Sequence, residues 1–159
     1  MNRARIFEAV TWLAIELFYL MTFGLAAWLK WSQGMPDWFA TQFQATWLTH
    51  APLGLQGSFY FIAILETAAF VGFSVSVVRL DWLRGQGDAL RLSLAFSMLV
   101  FVVLAYGSRL TQKFDVAGWN YLYLIGTFLI GRVVEGRAVE QAASTPPHSA
   151  RAATTSVPS

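Results

Sequence analysis

Glu16 and Glu66 each interrupt a hydrophobic segment long enough to cross a bilayer, and a carboxylate at that depth is costly unless it meets a partner, a polar cavity or a proton path. The chemistry open to them is narrow: accepting a proton, pairing with a base, or holding the polar end of a ligand. Lys30, Arg109 and Lys113 fall near the outer ends of the spans, so pairing requires long side chains that run inward along apolar surface. With Asn120 of the last span, Glu16, Lys30, Glu66 and Arg109 outline a polar pocket in the outer half of a helical bundle. Trp28 and Trp31 beside Lys30 supply rings against which a lipophilic ring could lie. The same residues also have a purely structural reading, in which hydrogen-bonded carboxylic acids join helices and the bases snorkel to the interface.

Other chemistries fail on residue supply. There is no cysteine, which removes disulfides, thiolate nucleophiles, iron–sulfur clusters and Cys-based zinc sites. His50 and His148 are the only histidines, so no pair can ligate a buried haem, and neither glutamate carries the Glu-x-x-His companion of a di-iron bundle. No haem or metal ligated by this chain is expected. Ser58 or Ser108 combined with His50 would be an arbitrary triad, and no catalytic constellation is visible. Gly85 and Gly87 lack the Lys/Ser pair and strand-to-helix setting of a phosphate loop. A net charge of +2 with dispersed basic residues leaves no nucleic-acid footprint.

The elements that must position these residues are helices. Of 159 residues, 56% are hydrophobic and 13% charged, about half the charge of an ordinary soluble domain. Four apolar segments, roughly 7–29, 55–78, 92–106 and 116–134, approach the ~20 residues a helix needs to span hydrocarbon. They are continuous rather than alternating, which argues against a β-barrel. The fold class is therefore all-α, an integral membrane four-helix bundle over residues 1–140, followed by a flexible cytoplasmic tail over 141–159 that is rich in Ala, Ser, Thr and Pro. The first segment is too long for a secretory signal and contains a glutamate, so it is expected to remain as a helix. If both termini share one side, Arg3, Arg5, Arg79, Arg84, Arg91, Arg132, Arg137 and Arg151 gather there, which predicts both termini in the cytoplasm by the positive-inside rule; a bacterial inner membrane is the expected location.

Between the first two spans, Pro36 can start a helix, and Phe39, Phe43 and Trp47 recur every four residues. This spacing predicts a short amphipathic helix over 36–48 in the first outer loop, anchored at the interface or lying as a lid over a cavity. The loop RLDWLRGQGD predicts a tight turn with Trp82 and Leu83 at the interface. Gly24, Gly72, Gly126 and Gly131 are expected to allow close helix approach, and Ser74, Ser76, Ser93 and Ser97 to bond across helix contacts.

The run GLAAWLKW, the following QGMPDWF and the second span LQGSFYFIAILETAAFVGF resemble the DoxX-like membrane proteins, with Gly24 and Lys30, Gly34 and Pro36, and Glu66 and Gly72 at the matching positions. The resemblance covers the first half by motif and the rest only by its hydrophobic segments. It implies a four-helix membrane bundle, with some relatives linked to quinone-coupled sulfur oxidation or membrane redox assemblies. The positions it carries over are Lys30 and Glu66. Three functions are compatible with the sequence. The first is a non-catalytic accessory or assembly subunit surrounded by membrane lipids and other integral membrane subunits. The second is a quinone-linked oxidoreductase component, and the third a small-solute or proton transporter.

Overall fold

The computed structural model describes residues 3–83, 85 and 87–144. Within them run five α-helices: α1 (Arg3–Gln33), α2 (Asp37–Phe43), α3 (Gly54–Val78), α4 (Asp88–Leu110) and α5 (Phe114–Ser144). One 3-10 turn, Trp47–His50, precedes α3 and another, Asp81–Leu83, follows it. Helices α1, α3 and α4 are long and apolar enough to cross a membrane. Helix α5, at 31 residues, matches them in length but is diluted by Asn120, Tyr121, Tyr123 and Arg132 and does not join them. Large apolar side chains including Met21, Leu25, Phe61, Ile64, Leu99 and Leu129 stand exposed. An exposed apolar surface this extensive marks contact with a membrane or a partner.

The turns that stack these helices are fixed locally. Gly34, at φ +70°, closes α1 by donating its N–H to the Lys30 carbonyl at 3.0 Å, the single-bond left-handed helix cap. Helix α4 ends in a Schellman motif: Lys113 N–H reaches the Ser108 carbonyl at 2.9 Å and Gln112 N–H the Arg109 carbonyl at 3.1 Å. Gln112, at φ 58°, occupies the position that usually takes glycine. At the start of α4, the Asp81 carboxylate accepts a hydrogen bond from Leu90 N–H at 3.4 Å. Gly87 permits this approach, since a Cβ there would lie 2.1 Å from the Asp81 carboxyl carbon.

Helix α3 lies between α1 and α4, and α5 packs along α4. The α1 and α5 backbones are held mainly through side chains: the Tyr19 and Thr127 hydroxyls are 2.7 Å apart, and Arg137 bonds Glu8 while its guanidinium lies 5.1 Å above the Trp12 ring. The main core centres on a stack in which Tyr19 and Phe73 are 4.7 Å apart and nearly parallel, with Phe23 against Phe101 at 5.5 Å. A second cluster, Phe39, Phe43 and Phe59, joins α2 to α3.

Several sequence expectations change here. The short helix stops at Phe43 because Thr46 turns the chain back, donating both its N–H and its hydroxyl to the Phe43 carbonyl at 2.9 and 2.7 Å. Trp47 therefore leaves the aromatic face and donates its indole N–H to the Tyr106 hydroxyl at 3.3 Å. Ser74, Ser93 and Ser97 bond carbonyls of their own helices, the back-bonding open to hydroxyls in any helix. Gly24 and Gly72 do sit at close approaches, to Phe70 and Ser93, but around Gly126 and Gly131 nothing lies within 4 Å of an added Cβ. Trp82 packs against the core, because the turn folds back over α1. Helix α5 continues to Ser144, so residues 141–144 of the expected tail are helical, whereas 145–159, with His148 and Arg151, lie outside the described residues, as does Arg84.

Candidate functional site

The last turn of α1 and the middle of α3 meet at Lys30 and Glu66. The ammonium donates to both carboxylate oxygens, at 2.9 Å to Oε1 and 2.7 Å to Oε2, while the Glu66 side chain is 4% exposed and that of Lys30 is 22% exposed. The inward reach of a lysine along apolar surface thus satisfies the Glu66 charge, with the buried partner held by a base that still touches a cavity. One position along in each helix, the Trp31 indole N–H donates to the Thr67 hydroxyl at 2.9 Å. Trp31 also stacks on Tyr60 with ring centres 5.6 Å apart. These paired contacts clamp α1 to α3 and fix the lysine stem.

Lys30 lines a cavity of about 610 Å³ between the ends of α1, α3 and α4, within the range of small-molecule sites. Its roof is α2: Phe39 and Phe43 are buried, their rings tilted against each other with centres 4.5 Å apart, and Phe39 meets Phe59 edge to face at 5.2 Å. Among the other lining groups, Gln33, Gln42, Ser108 and Lys113 are polar. Gln42 is tied by its amide to the Thr111 hydroxyl at 2.9 Å, which joins the roof to the end of α4. Lys113 enters no ion pair among the described residues. An ammonium has three N–H donors, and Glu66 takes two from Lys30. The chamber therefore offers hydrogen-bond donors set in aromatic and aliphatic walls, and it suits a molecule with acceptor oxygens on an apolar ring.

The other residues of the anticipated pocket lie elsewhere. Arg109 stacks over Phe114 at 5.0 Å and Tyr121 at 5.8 Å, which commits its guanidinium to the α4–α5 corner. Asn120 donates to the Val116 carbonyl of its own helix at 3.2 Å. Trp28 is 70% exposed and points away from the chamber lining. Glu16 is fourteen residues before Lys30 on the same helix, about 21 Å along the axis, with the aromatic stack between. It is fully buried, and among the described residues neither carboxylate oxygen has a hydrogen-bond partner. Ser76 is close by, but its hydroxyl turns to Asp81 at 3.5 Å.

No protein-family model, curated protein or solved structure matches this chain. The residues alone carry the functional argument. Among the described residues no group of three His, Cys, Asp or Glu side chains is placed to hold a metal ion. The spacing of Phe39 and Phe43 marks the aromatic face in the sequence, but Gln33 and Gln42 are not singled out there. Their only sequence signal is a polar residue three positions after a buried aromatic, in Phe39 to Gln42, and this becomes visible only once α2 is known to fold back.

Proposed function

We propose that this chain is a small multi-pass membrane protein that binds a quinone-class lipophile in the chamber under α2. The observation that carries this reading is the Lys30–Glu66 pair at the wall of that chamber: the glutamate neutralises the lysine yet leaves one N–H to donate. A neutral carbonyl acceptor fits such a donor without bringing a second buried charge, which would be costly. The aromatic roof of Phe39 and Phe43 provides a face for a planar ring. The role proposed is binding and orienting, with Lys30 holding a proton at a carbonyl oxygen. In this reading α5 completes a DoxX-like four-helix bundle with both termini in the cytoplasm of a bacterial inner membrane, and the chamber opens at the outer face.

The test is extraction of lipophiles from protein purified from its native membrane in mild detergent. Stoichiometric quinone in the wild type, reduced severalfold in Lys30→Met and Glu66→Gln, supports the proposal. Equal trace quinone in all three preparations overturns it.

A second reading, that the chain is an accessory subunit of a larger membrane complex, is favoured by the free space around Gly118, Gly126, Gly131 and Gly136 of α5. Glycines that admit close helix approach find no neighbour here among the described residues. A constant set of larger subunits, without any bound small molecule, in the same purification would favour this role.

A further inference from the structure

The chamber has a neighbour. Phe39, Phe43, Ile62, Val103 and Gly107 line the chamber on one side and a second space of about 650 Å³ on the other. The two differ sharply in chemistry. Lysine and glutamine side chains line only the first, whereas the second runs between α3 and α4 past Trp47, Phe61, Val102 and Leu110 and is almost wholly apolar. Phe61 and Val102 on the flanks of α3 and α4 are about half exposed, at 54% and 49%, and Leu53 at the start of α3 is 79% exposed, so the groove opens along the apolar flank of the two helices as well as at their ends.

The partition between the two spaces is thin. The Phe43 ring lies 3.6 Å from where a Cβ on Gly107 would stand, so the ring rests against bare backbone. Because α2 is only seven residues long and ends at the Thr46 turn, the two rings that divide the cavities hang from a short element.

We infer that the groove holds the apolar tail of the molecule whose head occupies the chamber, and that this molecule enters from the bilayer between α3 and α4, passing beneath Phe39 and Phe43. The inference rests on the chamber reading above and adds to it the class of ligand: a single-tailed amphiphile with an acceptor-bearing ring. Donors on one side of a shared wall and hydrocarbon on the other match head and tail of one molecule. A tail-less ring would leave the groove without a role, and a charged water-soluble solute would gain nothing from an opening into lipid.

The test compares two probes on the purified full-length protein: decylubiquinone, and the same dimethoxy-methyl benzoquinone ring without a tail. Ser58 lines the groove and not the chamber, and its hydroxyl donates to the Gly54 carbonyl of its own helix at 3.1 Å. Ser58→Phe therefore fills the groove while leaving the chamber intact, and Ser58→Ala is the control. The wild type is expected to bind the decyl compound about tenfold or more tightly than the bare ring, the worth of a few buried methylenes. Ser58→Phe abolishes that preference with the ring affinity unchanged, and Ser58→Ala retains it. Val102→Trp, at a groove position already half exposed, repeats the test should Ser58→Phe fail to fold. Equal affinity of the wild type for the two probes, or a preference that survives both groove substitutions, overturns the tail site while leaving the chamber reading standing. Binding of neither probe to the wild type overturns both.

Discussion

Two acids in comparable stretches of sequence meet opposite fates. Glu66 has two short hydrogen bonds to Lys30, while Glu16 is buried without any among the described residues, and mutation separates them. Lys30→Met strands a carboxylate that is 4% exposed, with an expected loss on the order of 3 kcal/mol. Glu66→Gln leaves an ammonium that still touches the chamber and costs less. Thermal denaturation in detergent checks the order, and equal losses would mean that the pair is solvated from both sides. At Glu16 the sign reverses: a buried, unsatisfied polar group costs about 1–3 kcal/mol, so Glu16→Met should raise the melting temperature. A lowered one would reveal a partner or bound water that satisfies the carboxylate. Both glutamates are conspicuous in the sequence, but their partners are not. Lys30 and Glu66 are separated by 36 positions, and only the relative alignment of α1 and α3 brings them together, whereas Glu16, about 21 Å from Lys30 along the same helix, is out of its reach in any alignment.

The helices themselves are legible because continuous hydrophobicity over some twenty residues has few alternatives to a spanning helix. Helix ends were harder to read. Spacing alone extends the Phe39, Phe43, Trp47 face, whereas the hydroxyl of Thr46 competes for the Phe43 carbonyl and ends the helix one turn early. This is local hydrogen bonding overriding periodicity. The same local rules make the caps testable. Gln112→Gly removes a side chain from the left-handed region and should stabilise the α4–α5 corner by up to about 1 kcal/mol. Gly87→Ala should destabilise by more than this, because its methyl group would occupy the space of the Asp81 carboxylate. Paired melting curves for the two variants decide the matter: opposite shifts are expected, and parallel shifts would refute the turn geometry.

On the scale of the whole molecule, charge placement predicts which loops face out. Because the chain lacks cysteine, single cysteines report topology cleanly. Asp37→Cys and Gln112→Cys should react with an impermeant maleimide on intact spheroplasts, and Asp88→Cys only after the membrane is opened. The reverse pattern would invert the molecule, and labelling of Gln112→Cys and Asp88→Cys from the same side would remove α4 as a span. The chamber is only partly legible: the spacing of Phe39 and Phe43 allows a helix lying as a lid over a cavity, but the closure of α2 over the ends of three helices is an outcome of packing at Phe59 that spacing alone does not choose. The stack of Tyr19, Phe23, Phe73 and Phe101 across the middle of the bundle has one more consequence. It stands as an insulating bulkhead between Glu16 at one level and Lys30 with Glu66 at the other, so a charge admitted from either face meets a wall of rings halfway. Liposomes containing the protein should hold an imposed membrane potential as long as empty ones do, and whatever reaches the chamber must leave by the leaflet through which it came.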